Sequence, residues 1–208
     1  DFPHYAREAI EAELGGTAIW VSGDLGVLQG PLDIDVLDPL TGAPAQRRTF
    51  RWAEVHGTQL AERVLDAVPG DPGSPVAFIR HATTDPVPVQ LDNPYFRFFI
   101  ALGVINSRLD LFTNGVPDDS VGFPYPPPFD AIPQALGEDI HTEVGVFSVN
   151  EASFAVVPSE LDPQIGEQYR AAMAGAEHTF IIGLGNDEIG YQLPAAKWDD
   201  SCHACAPY

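Results

Sequence analysis

A chain of 208 residues with 45% hydrophobic residues has ample length to bury a core. Its formal charge of −20, with Lys197 the single lysine beside nine arginines, argues against binding nucleic acid or an anionic lipid surface through net charge. No apolar run approaches the ~20 residues that span a bilayer, so no transmembrane segment is expected, and such acidity suits salt-rich or extracellular surroundings. The first element is a helix. Asp1 can cap it, Pro3 fits its first turn, and Phe2, Ala6, Ile10 and Leu14 form an i, i+4 stripe that Gly15-Gly16 ends. Thr17–Val21 then reads as a strand leading into the turn Ser22–Gly26.

Residues 32–48 are rich in aspartate, proline and glycine and read as a surface excursion. Within them Asp33-Ile34-Asp35-Val36-Leu37-Asp38 offers oxygens of the kind calcium binds, and its alternation equally suits a half-exposed strand. Thr49 is placed to cap a helix from about Phe50 to Val68, with Leu60, Val64 and Val68 on one face and Ala53, Gly57 and Ala61 beside them. Gly57 is expected to let that helix approach a sheet closely, and His56 reads as structural. Short strands follow at Val76–His81 and 87–91, then a helix Tyr95–Val104 whose aromatic run reads as core, with a lipid-chain groove as the alternative.

Residues 114–136 form a long proline-rich loop, expected to be ordered by its prolines and to act as a rim or packing surface. Ile140–Asn150 alternates as one strand and forms a hairpin with Ser153–Val157. Pro158 stops the second strand. Asp162 then caps, and Pro163 opens, a helix running to about Ala174, followed by a strand Thr179–Leu184 and the loop 185–191. Two parallel strands joined by a crossover helix put their ends on one sheet edge, so Glu160 and the 186–191 loop are expected to be spatial neighbours.

Val157-Pro158-Ser159-Glu160-Leu161, followed by Gly183-Leu184-Gly185-Asn186-Asp187-Glu188-Ile189-Gly190-Tyr191, resembles the neutral/alkaline (non-lysosomal) ceramidases. In that family the first motif carries a glutamate and the second a tyrosine, both ligands of a catalytic zinc. The resemblance therefore implies Glu160 and Tyr191 as zinc ligands. Read without it, Glu160 is a carboxylate favoured at a helix N-terminus and Tyr191 a half-buried aromatic beside a turn. Thr142-Glu143-Val144 resembles the family strand before the glutamate, and Leu91-Asp92-Asn93-Pro94 through Leu102-Gly103-Val104 resembles a scaffold segment.

The resemblance implies an α/β fold, a mixed β-sheet core flanked by helices, with 1–208 a single domain incomplete at both ends. It implies a secreted or cell-surface zinc amidohydrolase that cleaves the N-acyl amide of a sphingolipid-like substrate, the zinc acidifying its bound water and polarising the carbonyl. The family's upstream histidine motifs have no counterpart among His4, His56, His81, His141, His178 and His203, so another chain or fragment is expected to carry the rest of the domain. Val27 stands where the family has an aspartate, leaving no carboxylate or serine there except the nearby Asp24, which reads as closing a turn. These departures leave a second expectation, a catalytically inactive ceramidase-like structural or surface-assembly protein, and calcium leaves a third, an adhesion module. Cys202 and Cys205, spaced C-x-x-C, read as a disulfide in a secreted protein, with free thiols or half a zinc site as alternatives.

Overall fold

The computed structural model describes residues 1–28, 35–68, 77–101, 111–114, 116–117 and 139–197. The proline-rich loop beyond Pro117 and the Cys202–Cys205 pair lie outside them. The chain forms two compact units, one drawn from residues 1–21 and 29–77, the other from 22–28 and 78–208.

In the first unit, α1 (Phe2–Leu14) packs against α2 (Phe50–Ala67). Thr49 caps α2 as expected, its hydroxyl accepting the Trp52 N–H at 3.1 Å. The buried face of α2 is nevertheless the small one, Ala53, Gly57 and Ala61, while Val64 is exposed. Gly57 permits a close approach, but to a helix and not to a sheet. A Cβ there would fall 2.8 Å from Tyr5 Cβ and 2.9 Å from the Ala6 nitrogen of α1. Val55 and Trp52 pack instead with Val36 and Ala45 of the preceding excursion. His56 is stacked on Phe2 (centroids 4.6 Å apart), and burial lowers its pKa. The expected strand at Thr17–Val21 does not form. The backbone of Ala18 is bonded to α1 side chains instead, its N–H to Glu11 Oε1 (2.9 Å) and its carbonyl to Arg7 Nε (3.0 Å), and Ile19 is 84% exposed. In the excursion, Leu37 and Pro44 form a single bridge and Asp38 takes a bidentate pair from Arg51 (2.6 and 2.8 Å). Asp35 faces Arg47 at 3.7 Å.

The second unit is α/β, with a mixed sheet, an antiparallel sheet and flanking helices. Its elements are β1 (Ile79–Thr83), β2 (Val87–Gln90), α3 (Pro94–Ala101), β3 (Leu111–Thr113), β4 (Val116–Pro117), β5 (Asp139–Thr142), β6 (Gly145–Val149), β7 (Ala152–Val156), β8 (Glu160–Leu161), α4 (Pro163–Ala172), β9 (His178–Ile182) and β10 (Tyr191–Gln192). One sheet has the order β1-β6-β7-β9, antiparallel except for the parallel β7–β9 pair, and a second has the order β2-β5-β3-β4. The crossover β7–α4–β9 is the one expected. Asp162 caps α4 by accepting the Gln164 N–H at 2.9 Å, and Ile165, Tyr169 and Met173 cover buried Ala155, Val157, Leu161 and Ile181. On the other face Phe147, Phe154 and Phe180 stack in a row at 4.7 and 4.9 Å. In α3, Phe98 is buried, whereas Tyr95 and Phe96 are exposed, so only part of that aromatic run is core.

The expected single strand Ile140–Asn150 is two strands in different sheets. Thr83 pairs with Gly145 and Val87 with Thr142, so three residues (84–86) oppose two (143–144). That mismatch is a bulge, which bends a ladder and increases its twist. Thr84 and Val144 hold the bend: Thr84 N–H bonds Val144 O (3.0 Å), and Val144 N–H bonds Thr84 Oγ1 (3.1 Å).

Candidate functional site: a glutamate and a tyrosine paired on a short parallel ladder

The C-terminal ends of the parallel strands β7 and β9 are where an α/β sheet exposes unpaired backbone and seats ligands. Here the chain after β9 wraps around the chain after β7. Gly185 N–H bonds Val157 O (2.9 Å), Leu184 N–H bonds Ser159 O (3.1 Å) and Ile189 N–H bonds Pro158 O (2.9 Å). Leu184 and Asn186 reach this path through left-handed conformations, φ 53° and 69°. Gly185 is required by contact, since a Cβ there would collide with Val156 Cγ1.

The wrapping ends in a two-residue parallel ladder in which Tyr191 pairs with Glu160 and Gln192 with Leu161. Glu160 N–H donates to Gly190 O and Asp162 N–H to Gln192 O, both at 3.0 Å. Directly opposed residues of a ladder project from the same face. Glu160 and Tyr191 therefore share one face, Glu160 half-buried and Tyr191 51% exposed. The other face is closed. Ser159 and Leu161 are fully buried, and Ser159 Oγ donates to Gln192 Oε1 at 3.0 Å. The expected proximity of Glu160 to the 186–191 loop is thus present, but as strand pairing where a turn and a loop were expected.

Two further features brace the ladder. Asp162 is fully buried and its Oδ2 receives Lys197 Nζ at 2.7 Å. Burial pushes the Asp162 carboxyl upward, while the Lys197 and Gln164 donors pull it down and prevail, holding it below the ordinary range. The turn 22–26 lies directly on the Glu160–Asp162 backbone, with Gly26 N–H bonded to Leu161 O at 2.9 Å. Val27 follows in a left-handed conformation, φ 58°, which is rare for a β-branched residue. Asp24 does not face the pair. Its carboxylate lies over Gly166 of α4, ion-paired to Arg170 at 2.6 Å, with Oδ1 buried and without a hydrogen-bond partner.

The bulge between the two sheets leaves a cavity of about 260 Å³ lined by Pro86, His141, Thr142, Glu143, Asn186 and Asp187. Thr142 Oγ1 donates to Asp187 Oδ2 (3.1 Å) and Asn186 Nδ2 to Glu143 Oε1 (2.9 Å), tying the loop to β5 and the bulge. Sequence reasoning missed this cavity because the signal was a count of residues between two strand pairs. The remaining histidines are dispersed. His4 faces Glu8 on α1, His81 lies on β1 and His178 on β9, while His203 is outside the described residues.

Structural and catalytic zinc take three or four protein ligands, and among the described residues no group of three or more histidine, cysteine, aspartate or glutamate side chains could hold a metal. On the ladder's open face Glu160 carries a carboxylate and Tyr191 a phenol.

Fold and site together define an α/β unit that sets Glu160 opposite Tyr191 on a short parallel ladder beyond a parallel crossover. No protein family and no curated protein matches the sequence. Among solved structures the chain is similar to neutral ceramidase from Pseudomonas aeruginosa, with 15% sequence identity and a TM-score of 0.43, over 92% of this chain and 34% of that one. The chain thus spans about a third of that protein's length. A likeness at this level carries no argument about activity. Among the described residues no helix is long and apolar enough to cross a membrane.

Proposed function

We propose that the chain is the latter part of a ceramidase-like, zinc-dependent amidohydrolase, in which Glu160 and Tyr191 contribute half of the metal's ligands. The supporting observation is the register that sets Tyr191 opposite Glu160 on one ladder face. Two oxygens alone hold zinc poorly, so the other ligands come from another segment or a partner chain. The role assigned to these residues stops at holding the metal. The substrate class is an N-acyl amide of a sphingolipid-like lipid, hydrolysed by addition of water across the amide to a fatty acid and an amine. The same reading has the protein secreted or at the cell surface, with Cys202 and Cys205 joined as a disulfide.

The test is metal content and amide hydrolysis in the full-length protein. Zinc near one per chain is expected, with Glu160→Gln and Tyr191→Phe each weakening zinc affinity on the order of 10- to 100-fold, while the isolated 208 residues show no nanomolar binding by titration calorimetry. Unchanged zinc content in both variants refutes the ligand assignment. A second reading, an inactive structural protein, draws support from Val27, an apolar residue in a left-handed turn laid on the Glu160 segment. It predicts a folded full-length protein with no amide hydrolysis at any zinc concentration.

A further inference from the structure

The Glu160–Tyr191 ladder is only two residues long on each side, too short for its own backbone bonds to specify register strongly. A slip of one residue would turn Tyr191 to the closed face and Gln192 to the open one. The loop's backbone bonds to residues 157–159 bring the strand alongside, and a side-chain bond on the closed face opposes that slip at the ladder itself. Fully buried Ser159 donates its hydroxyl to Gln192 Oε1 at 3.0 Å, a bond spanning the ladder diagonally behind the pair. Gln192 is joined at its backbone as well, its carbonyl accepting the Asp162 N–H at 3.0 Å.

We propose that Gln192 is a positioning residue, and Ser159 its partner, whose part-buried hydrogen bond fixes the register that sets Tyr191 opposite Glu160. Each is the chain neighbour of a proposed ligand, and by the register its side chain lies on the opposite face of the ladder. Their importance to a metal rests on the reading of Glu160 and Tyr191 given above. The donor side of the bond is enclosed: Ser159 is fully buried, as are Val157 and Leu161 beside it. Losing Gln192 Oε1 leaves the hydroxyl without its acceptor in the register shown, so alternative registers gain population.

The experiment is site-resolved amide exchange on the chain with no metal added, so that it reads the ladder whether or not zinc binds. The reporters are the Glu160 and Asp162 amides, whose acceptors lie across the ladder, and the Val157 amide, bonded to Ile182 O at 2.9 Å, is the control. Gln192→Leu, which removes the acceptor at similar size, is expected to speed exchange at Glu160 and Asp162 about 10-fold, equivalent to about 1.4 kcal/mol, and to leave Val157 unchanged. Gln192→Glu keeps an acceptor and is expected to restore protection to within about threefold of the parent. Ser159→Ala should reproduce the loss and serves if Gln192→Leu does not fold. The proposal is overturned if Glu160 and Asp162 keep their protection in Gln192→Leu and Ser159→Ala, if all three amides accelerate together, or if Gln192→Glu behaves as Gln192→Leu. A failure to bind zinc in the full-length protein would remove the ligand role and leave these outcomes unaffected.

Discussion

Lys197→Met offers the sharpest perturbation of the site's support. Lys197 Nζ sits 2.7 Å from Asp162 Oδ2, and Asp162 has no exposed surface. The carboxylate's other oxygen accepts the Gln164 N–H, so removal of the ammonium takes away the one charged partner that Oδ2 has among the described residues. Breaking a fully buried pair from one side typically costs about 3–5 kcal/mol, because the surviving charge is left uncompensated. Lys197 retains 34% of its side-chain exposure, so water already weakens the pair and will reach part of the vacated volume, which lowers the expectation to about 2–4 kcal/mol. The companion change is Asp162→Asn, which keeps a capping oxygen at the α4 N-terminus and removes the buried charge. In that background Lys197→Met should cost less than about 1 kcal/mol, because nothing charged is stranded. Urea unfolding, read through exchange of the β7 and β9 amides, reports on the second unit alone. A Lys197→Met cost below about 0.5 kcal/mol, or an equal cost in both backgrounds, would show that Asp162 is not held by the pair and refute the reasoning.

Gly26→Ala should destabilise the second unit by about 2–3 kcal/mol, since a Cβ would sit 2.6 Å from the Leu161 carbonyl carbon and 2.8 Å from the Asp162 nitrogen, and backbone cannot yield as a side chain does. Gly175→Ala meets nothing within 4 Å and should change stability by under about 0.5 kcal/mol; equal effects at the two positions would refute the contact argument. In the first unit, the hydrogen bonds from Arg51, then from the Leu40 N–H, hold the Asp38 carboxyl down at about 2 against the opposing effect of burial. Because the folded value lies below the unfolded one of ~3.9, the stabilisation is complete above that pH and is lost as pH falls from about 4 through 2. A carboxyl-carbon NMR titration should show Asp38 at that depressed value in the parent and near ~4 in Arg51→Gln; no difference between the two would remove Arg51 as the cause.

What was readable in the sequence is what local chemistry decides. Thr49 before Phe50 and Asp162 before Pro163 announced two helix starts because an N-cap needs one side-chain oxygen and no tertiary partner. The β7–α4–β9 crossover followed from the same signals, and with it the nearness of Glu160 to the loop that ends in Tyr191. Thr17–Val21 had the β-propensity of a strand, but in the structure Arg7 and Glu11 hold the Ala18 backbone groups that a strand partner would use. A side chain eleven residues away is invisible to a pattern of alternation.

The site shows why the remainder was harder. Alternation across residues 140–150 was real, but a bulge left the strand's two halves in different sheets, and that bulge exists only through the mismatch of 84–86 against 143–144. Neither segment reveals it alone. The β8–β10 ladder has a similar origin. A two-residue strand has no periodicity to detect, and Ser159-Glu160-Leu161 reads locally as a turn after proline. What makes it a strand is the returning loop, whose N–H groups at 184, 185 and 189 bond the carbonyls at 157–159 before Tyr191 arrives. Glu160 and Tyr191 are neighbours because those bonds lay the loop along residues 157–159. A residue pattern can thus nominate the glutamate and the tyrosine separately, while their common face is a property of the loop's backbone path and of the Ser159–Gln192 bond behind it.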